Sequence, residues 1–187
     1  MGYQREPAPE DLAGIESFCN SAAFLHGQDS FSEVESARSW LREHGHLAAA
    51  KSLDTQALAF LVEVREAVRG HLEGDAEARR QLNECAARLL GPPQWNIDGA
   101  AYVPEAEKEE GAVSAVAAGV LSALAVAGME GRRARRLKVC RSSECRWVFY
   151  DQSPANNSIW CSMDICGARH KMRLYRSRRK KNNLPGA

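Results

Sequence analysis

Apolar positions recur every three to four residues through most of the first 130 residues, the spacing of helices with one buried face. Leu12, Ile15, Phe18, Cys19 and Ala22 predict a first helix over 9–25. The segment His26-Gly27-Gln28-Asp29-Ser30 reads as a loop. Ser32, with Glu35 three positions on, forms the pattern of a capping box and opens a second helix that turns Ala37, Trp40 and Leu41 inward and stops at Gly45. Asp54 or Thr55 opens a third. Its inward stripe is Ala57, Leu61, Val64, Val68 and Leu72, its outward face is Glu63, Arg65, Glu66 and Arg69, and Gly74 ends it. Asp75 caps a fourth, with Ala78, Leu82, Cys85 and Leu89 inward, before Gly91-Pro92-Pro93 stops it.

The period then changes. Trp95 and Ile97 alternate, Asp98-Gly99 is a hairpin turn signal and Tyr102-Val103 returns, so a small β-hairpin is expected. The acidic run Glu105 to Glu110 suits the exposed start of a further helix, where the helix dipole favours negative charge. Gly111 to Met129 holds no charged residue and is about long enough to span a bilayer. It consists mostly of Ala, Gly, Ser and Val, which points to a close-packed buried helix, and no membrane is expected.

Charge divides the chain. Residues 1–130 carry 10 Lys and Arg against 21 Asp and Glu, a balance of −11. Residues 131–187 carry 15 against 3, a balance of +12. An acidic body and a basic end point to a polyanionic partner for the end alone, and the body is free to touch the basic part within one molecule. Met1 to Asp11 is polar, with Pro7 and Pro9, and lacks the pattern of a secretion signal. The expected compartment is the reducing cytoplasm, where paired cysteines more often bind metal than each other.

Four of the six cysteines stand as Cys140-x4-Cys145, fifteen residues, then Cys161-x4-Cys166. Two tight turns, each offering two thiolates, suit a tetrahedral ion, and four protein ligands leave no place for a catalytic water. A structural Zn2+ is expected, with an iron–sulfur cluster, two disulfides or a redox dithiol as alternatives. Leu137-Lys138-Val139 and Arg146 to Tyr150 read as paired strands within the module. Trp147, Phe149 and Tyr150 are either its core or base-stacking groups. Cys19 and Cys85 lie on apolar helix faces and read as core.

A basic helix follows. Arg169, Arg173, Arg176 and Lys180 fall within about 60° of one another at 100° per residue. Ala168, Met172 and Tyr175 make an adjacent apolar stripe that would dock on the module, while Lys171, Arg178 and Arg179 add charge. Each phosphate contact would add affinity and salt dependence, and an arginine can read a guanine edge.

The run Trp160-Cys161-Ser162-Met163-Asp164-Ile165-Cys166-Gly167-Ala168-Arg169 resembles the signature of the CGNR zinc-finger proteins, as does Cys140-x4-Cys145-Arg-Trp-Val-Phe-Tyr-Asp upstream. Members read Cys-Gly-Asn-Arg, and this chain departs at Ala168. In that family the finger ends a chain that begins with a mainly helical ABATE domain, to which Phe18-Cys19-Asn20-Ser21, Trp40 to Gly45, Val64 to Arg69 and Asp98-Gly99 are similar. The resemblance implies a bacterial transcription regulator that acts on DNA at the nucleoid and senses a small molecule or stress.

The expected fold is mainly α. A helical domain with a small β-hairpin (1–131) precedes a four-cysteine zinc module with a short hairpin and a basic helix (132–187). The expected function is DNA binding by that module, with an effector, or a second copy of the chain, on the helical body. Asn20, His26 and Trp95 are candidate pocket-lining residues, whereas His44-Gly-His46 matches no metal or nucleophile motif. The alternative is an enzyme or small-molecule binder whose zinc finger is only a scaffold.

Overall fold

A computed structural model describes residues 5–95, 97, 101–103, 111–131 and 133–182. The fold is mainly helical. Its elements are α1 (Glu10–Cys19), β1 (Ala22–Ala23), β2 (Gln28–Asp29), α2 (Val34–Glu43), α3 (Leu47–Ser52), α4 (Thr55–Glu73), α5 (Ala76–Leu89), β3 (Gln94–Trp95), β4 (Ala101–Tyr102), α6 (Ala112–Glu130), β5 (Leu137–Val139), β6 (Val148–Tyr150) and α7 (Ala168–Asn182). Three two-stranded antiparallel ribbons, β1–β2, β3–β4 and β5–β6, are its sheets among the described residues.

Local chemistry sets most boundaries. Asp54 caps α4 by accepting from the Ala57 amide at 2.8 Å, and Asp75 caps α5 through the Glu77 amide at 2.9 Å. Gly74 closes α4 with φ +87°, a conformation that costs glycine nothing. The expected Ser32 cap does not form. Phe31 is drawn into an edge-to-face cluster with Phe18 and Trp40, the Asp29 carboxylate takes the Phe31 amide, and α2 starts only after Glu33. The first helix stops at Cys19 rather than running to residue 25, because β1 leaves it to pair with β2.

Helix α6 is the pillar of the body and packs against α1, α3, α4 and α5. It is long and apolar enough to cross a membrane by length and composition, yet Val113, Val116, Ala117, Ala118, Val120, Leu121, Leu124 and Ala127 are buried within the fold. Its small side chains allow the close approach that the sequence suggested. The hairpin β3–β4 forms as expected, while its Asp98-Gly99 turn and the acidic run 105–110 lie outside the described residues.

One expectation about α4 is overturned. Arg65 and Arg69, assigned to its outer face, are 2% and 0% exposed. Each has partners that a helical wheel cannot show. Arg65 grips Asp29 bidentately at 2.6 and 2.8 Å and also donates to Ser21 and Glu66. Arg69 donates to Glu66, to the Cys19 carbonyl and to the Arg146 carbonyl. Buried charge persists only when so fully satisfied.

Candidate metal centre and nucleic-acid interface

The first cysteine pair sits in the loop that joins β5 to β6. Leu137 pairs with Tyr150, Lys138 with Phe149 and Val139 with Val148, and the Cys140 amide donates to the Trp147 carbonyl at 2.8 Å. The turn 142–146 is closed by the Cys145 and Arg146 amides, both donating to the Ser142 carbonyl. The second pair is held by a π-type turn over Met163–Gly167, in which Ser162 caps the Ile165 amide and its carbonyl takes the Cys166 and Gly167 amides. Gly167 is tightly enclosed, since a β-carbon there would meet the Met163 sulfur and lie 3.4 Å from the Trp160 ring.

All four thiol sulfurs lie within 4.8 Å of one another and are buried. Cys145 and Cys161 are 3.6 Å apart and Cys161 and Cys166 are 3.7 Å apart, too far for a disulfide. A tetrahedral ion with sulfur ligands at about 2.3 Å needs sulfurs roughly 3.8 Å apart, so the four residues fit such a metal. Protonated thiols alone are crowded. Hydrogen bonding with Cys140 and Cys145, then burial, pushes the Cys161 thiol far above its usual value, and burial first raises Cys166 to about 12. A cation at the centre would supply the charge that lets thiolates share this space.

A polar hub braces the module behind the cysteines. Asp151, fully buried, accepts from Lys138 Nζ at 2.7 Å and from the Ser153 and Ser158 amides and the Ser158 hydroxyl. Burial works to raise its pKa, but the hydrogen bonds from Lys138, Ser153 and Ser158 outweigh it and hold the carboxyl well below the usual range. Lys138 also donates to the Asn156 and Ser158 carbonyls and so stitches the loop 151–158 to β5.

Besides the Arg69 bond to the Arg146 carbonyl, further ties fasten the module to the body. The Asn20 side chain at the end of α1 pairs with both backbone groups of Val148, at 2.8 and 2.9 Å. Arg5 donates to the Cys161 and Trp160 carbonyls and lies over the Phe149 ring. Arg146, in the left-handed region at φ 48°, reaches Glu73 and Glu66 on α4. Leu137 and Val148 lie within the main hydrophobic core. The acidic body therefore does contact the basic part, through single pairs at the root of the finger.

Helix α7 packs mainly against the π-type turn that leads into it. The sequence suggested that its apolar stripe docks on the module; instead Met172 and Tyr175 are half exposed and the helix projects outward. Arg169, Lys171, Arg173, Arg176, Arg178 and Arg179 are all exposed, and the side chain of Lys180 lies outside the described residues. Glu144 pairs with Arg173 at 2.7 Å and with Arg169 at 3.6 Å. Lys171, Arg176 and Arg178 meet no carboxylate among the described residues.

Among the described residues Asn20, His26 and Trp95 have different surroundings. Asn20 is engaged with Val148, His26 lies in the 3-10 turn Phe24–His26, and Trp95 is 70% exposed. A cavity of about 580 Å³ lies elsewhere, between α1, α3 and α6, lined by Ile15, Phe18, Trp40 and His46 among others. Burial, then the neighbouring His44, lowers the His46 pKa. Phe149 is fully buried, so it is module core and not a base-stacking group. Arg5 and Asp151 were missed, because their partners lie far away in sequence or on backbone groups.

A helical body bearing a four-cysteine finger with an outward basic helix defines the class. The family model of ABATE, described as "Putative stress-induced transcription regulator", matches residues 10–129, and that of the CGNR zinc finger matches residues 136–179. The chain belongs to the ABATE family and carries a CGNR zinc finger. No curated protein matches it.

Proposed function

We propose that the chain is a DNA-binding transcription regulator in which Cys140, Cys145, Cys161 and Cys166 hold one structural Zn2+ and α7 supplies the main contact to DNA. The boundary is drawn at residue 131, with the body at 1–131 and the finger at 132–187. The observation that carries this reading is the exposure of six cations on a helix that stands off its own module. A helix about 10–12 Å across enters a major groove, where its arginines meet phosphates and base edges. Zinc has no open coordination position here, so its role is to fix the direction in which α7 leaves Gly167.

A second element follows from the cavity beside Trp40. Its apolar lining and a neutral His46 suit a small, largely apolar effector.

The test is DNA retention by the zinc-loaded chain across a salt series, wild type against Arg176→Glu/Arg178→Glu. Wild-type binding should weaken steeply with salt. The double variant should lose at least about tenfold in affinity and flatten the slope by roughly one unit per lost phosphate contact. DNA binding that survives the double charge reversal unchanged would refute the role of α7.

A further inference from the structure

The finger has a recess that the sequence reading did not anticipate. It encloses about 370 Å³ and is lined by Arg141, Ser142, Ser143, Ile159, Trp160, His170 and Arg173. It lies where the first knuckle, the segment before Cys161 and the first turns of α7 meet. Trp160 and His170 form an aromatic wall, with ring centroids 5.0 Å apart and planes inclined by 37°. Arg141 and Arg173 line the same recess, two serines add hydroxyl groups, and no carboxylate is among its lining residues.

We infer that this recess receives one unpaired nucleotide of the bound DNA. The inference rests on the DNA-binding reading above and specifies the kind of DNA that fits. Its chemistry is that of a nucleotide: aromatic surface for a base, two guanidinium groups for the flanking phosphates and hydroxyls for polar edges. Its volume falls within the range of small-molecule sites, more than a lone phosphate needs. In an intact duplex the base faces are stacked and only phosphates and groove edges are offered. An aromatic-walled recess gains its full contact only from a base that has left the stack. Because Arg173 belongs both to the recess and to α7, a strand lying along the helix reaches the recess without a break. Glu144 is the competing anion at Arg173, and as an exposed partner it is readily displaced by a phosphate.

The recess was illegible in the sequence because Arg141, Trp160 and His170 belong to three separate segments. The Arg141 amide joins the Ile159 carbonyl at 2.9 Å and the cysteine cluster gathers the rest, so the grouping arises only in the folded chain.

The experiment titrates the zinc-loaded full chain with three DNAs of one sequence: a paired duplex, the same duplex with one unpaired 2-aminopurine, and the single strand. Wild type should prefer the two DNAs with unpaired bases by about tenfold over the paired duplex, the size of one base–aromatic stacking contact. The 2-aminopurine emission should fall on binding as the probe stacks on Trp160. Arg141→Ala and Trp160→Leu should each erase the preference while paired-duplex affinity changes by less than about threefold, and Trp160→Phe should retain most of it. Zinc content is measured for every variant, and Arg141→Ala decides the question where Trp160→Leu loses the metal. Equal affinity for paired and unpaired DNA overturns the proposal, as does a preference that survives Arg141→Ala. A wild type that binds none of the three DNAs refutes the DNA-binding reading itself.

Discussion

Arg69 on α4 donates to the main-chain carbonyl of Arg146 at 2.6 Å, so one arginine of the body holds the backbone of another in the finger. Their like charges are reconciled by Glu66, which pairs with both. Replacing Arg69 by Met leaves the Cys19 and Arg146 carbonyls without their donor and Glu66 with one partner fewer. The expected loss is about 3–5 kcal/mol of folding stability, measured by denaturant unfolding. The exposed Arg79→Met should stay within about 0.5 kcal/mol of wild type.

Gly70 marks the closest approach of α4 to α5. A β-carbon placed there collides with the β-carbon of Ala78, and neither lies on a flexible side chain. Gly70→Ala should therefore lower stability by about 1–3 kcal/mol despite better helix propensity. Adding Ala78→Gly should recover part of that loss, and simple additivity in thermal unfolding would contradict the packing account.

The Asp151 hub gives a pH-dependent term. The folded pKa lies below the ordinary carboxylate value of about 3.9, so its stabilisation is present in full above that value and disappears as pH falls through the folded one. Asp151→Asn should cost about 3–5 kcal/mol near neutrality, since Lys138 then loses its buried counter-charge. The stability gap between variant and wild type should hold constant between about pH 5 and 7 and close below about pH 4. A gap that widened in acid would contradict the sign.

Glu144 restrains two of the cations assigned to DNA, Arg169 and Arg173. Since the pairs are exposed, their strength is about 0.2–1 kcal/mol. Glu144→Gln should thus tighten DNA binding by roughly two- to fivefold at low salt, with the effect shrinking as salt rises. An affinity unchanged or lowered in gel-shift titration would show that Glu144 does not compete with phosphate.

The Cys161 sulfur lies within 4.8 Å of each of the other three. Cys161→Ser, or a strong chelator on the wild type, should remove about one zinc per chain and with it most order in the finger. The expected signature is faster amide exchange over β5, β6 and α7, with α4 and α6 less affected.

The legible parts of the chain were those whose causes are local. The caps Asp54 and Asp75, the stop at Gly74, the ribbon from Leu137 to Tyr150 and the cysteine spacing all rest on a few neighbouring residues. Helix α3 escaped notice because Leu47–Ser52 is short and Ala-rich and has no side-chain cap at His46. Arg65 and Arg69 were misplaced because Asp29, Cys19 and Arg146 approach them only in the folded chain. On α7 the apolar stripe was visible, but whether it finds a surface depends on where the π-type turn aims the helix.

Arg146 holds a left-handed backbone one residue beyond Cys145, a posture that costs a residue with a β-carbon about 1–2 kcal/mol. The body supports that posture through Arg69, Glu66 and Glu73, so the loop that carries Cys145 is held by residues of the body. By reciprocity, an ion that favours this loop must steady the body by an equal free energy. The share of metal affinity that comes from the body would then equal the stability that the metal returns to it, and an effector that loosens the grip on Arg146 would be felt as weaker retention of the metal.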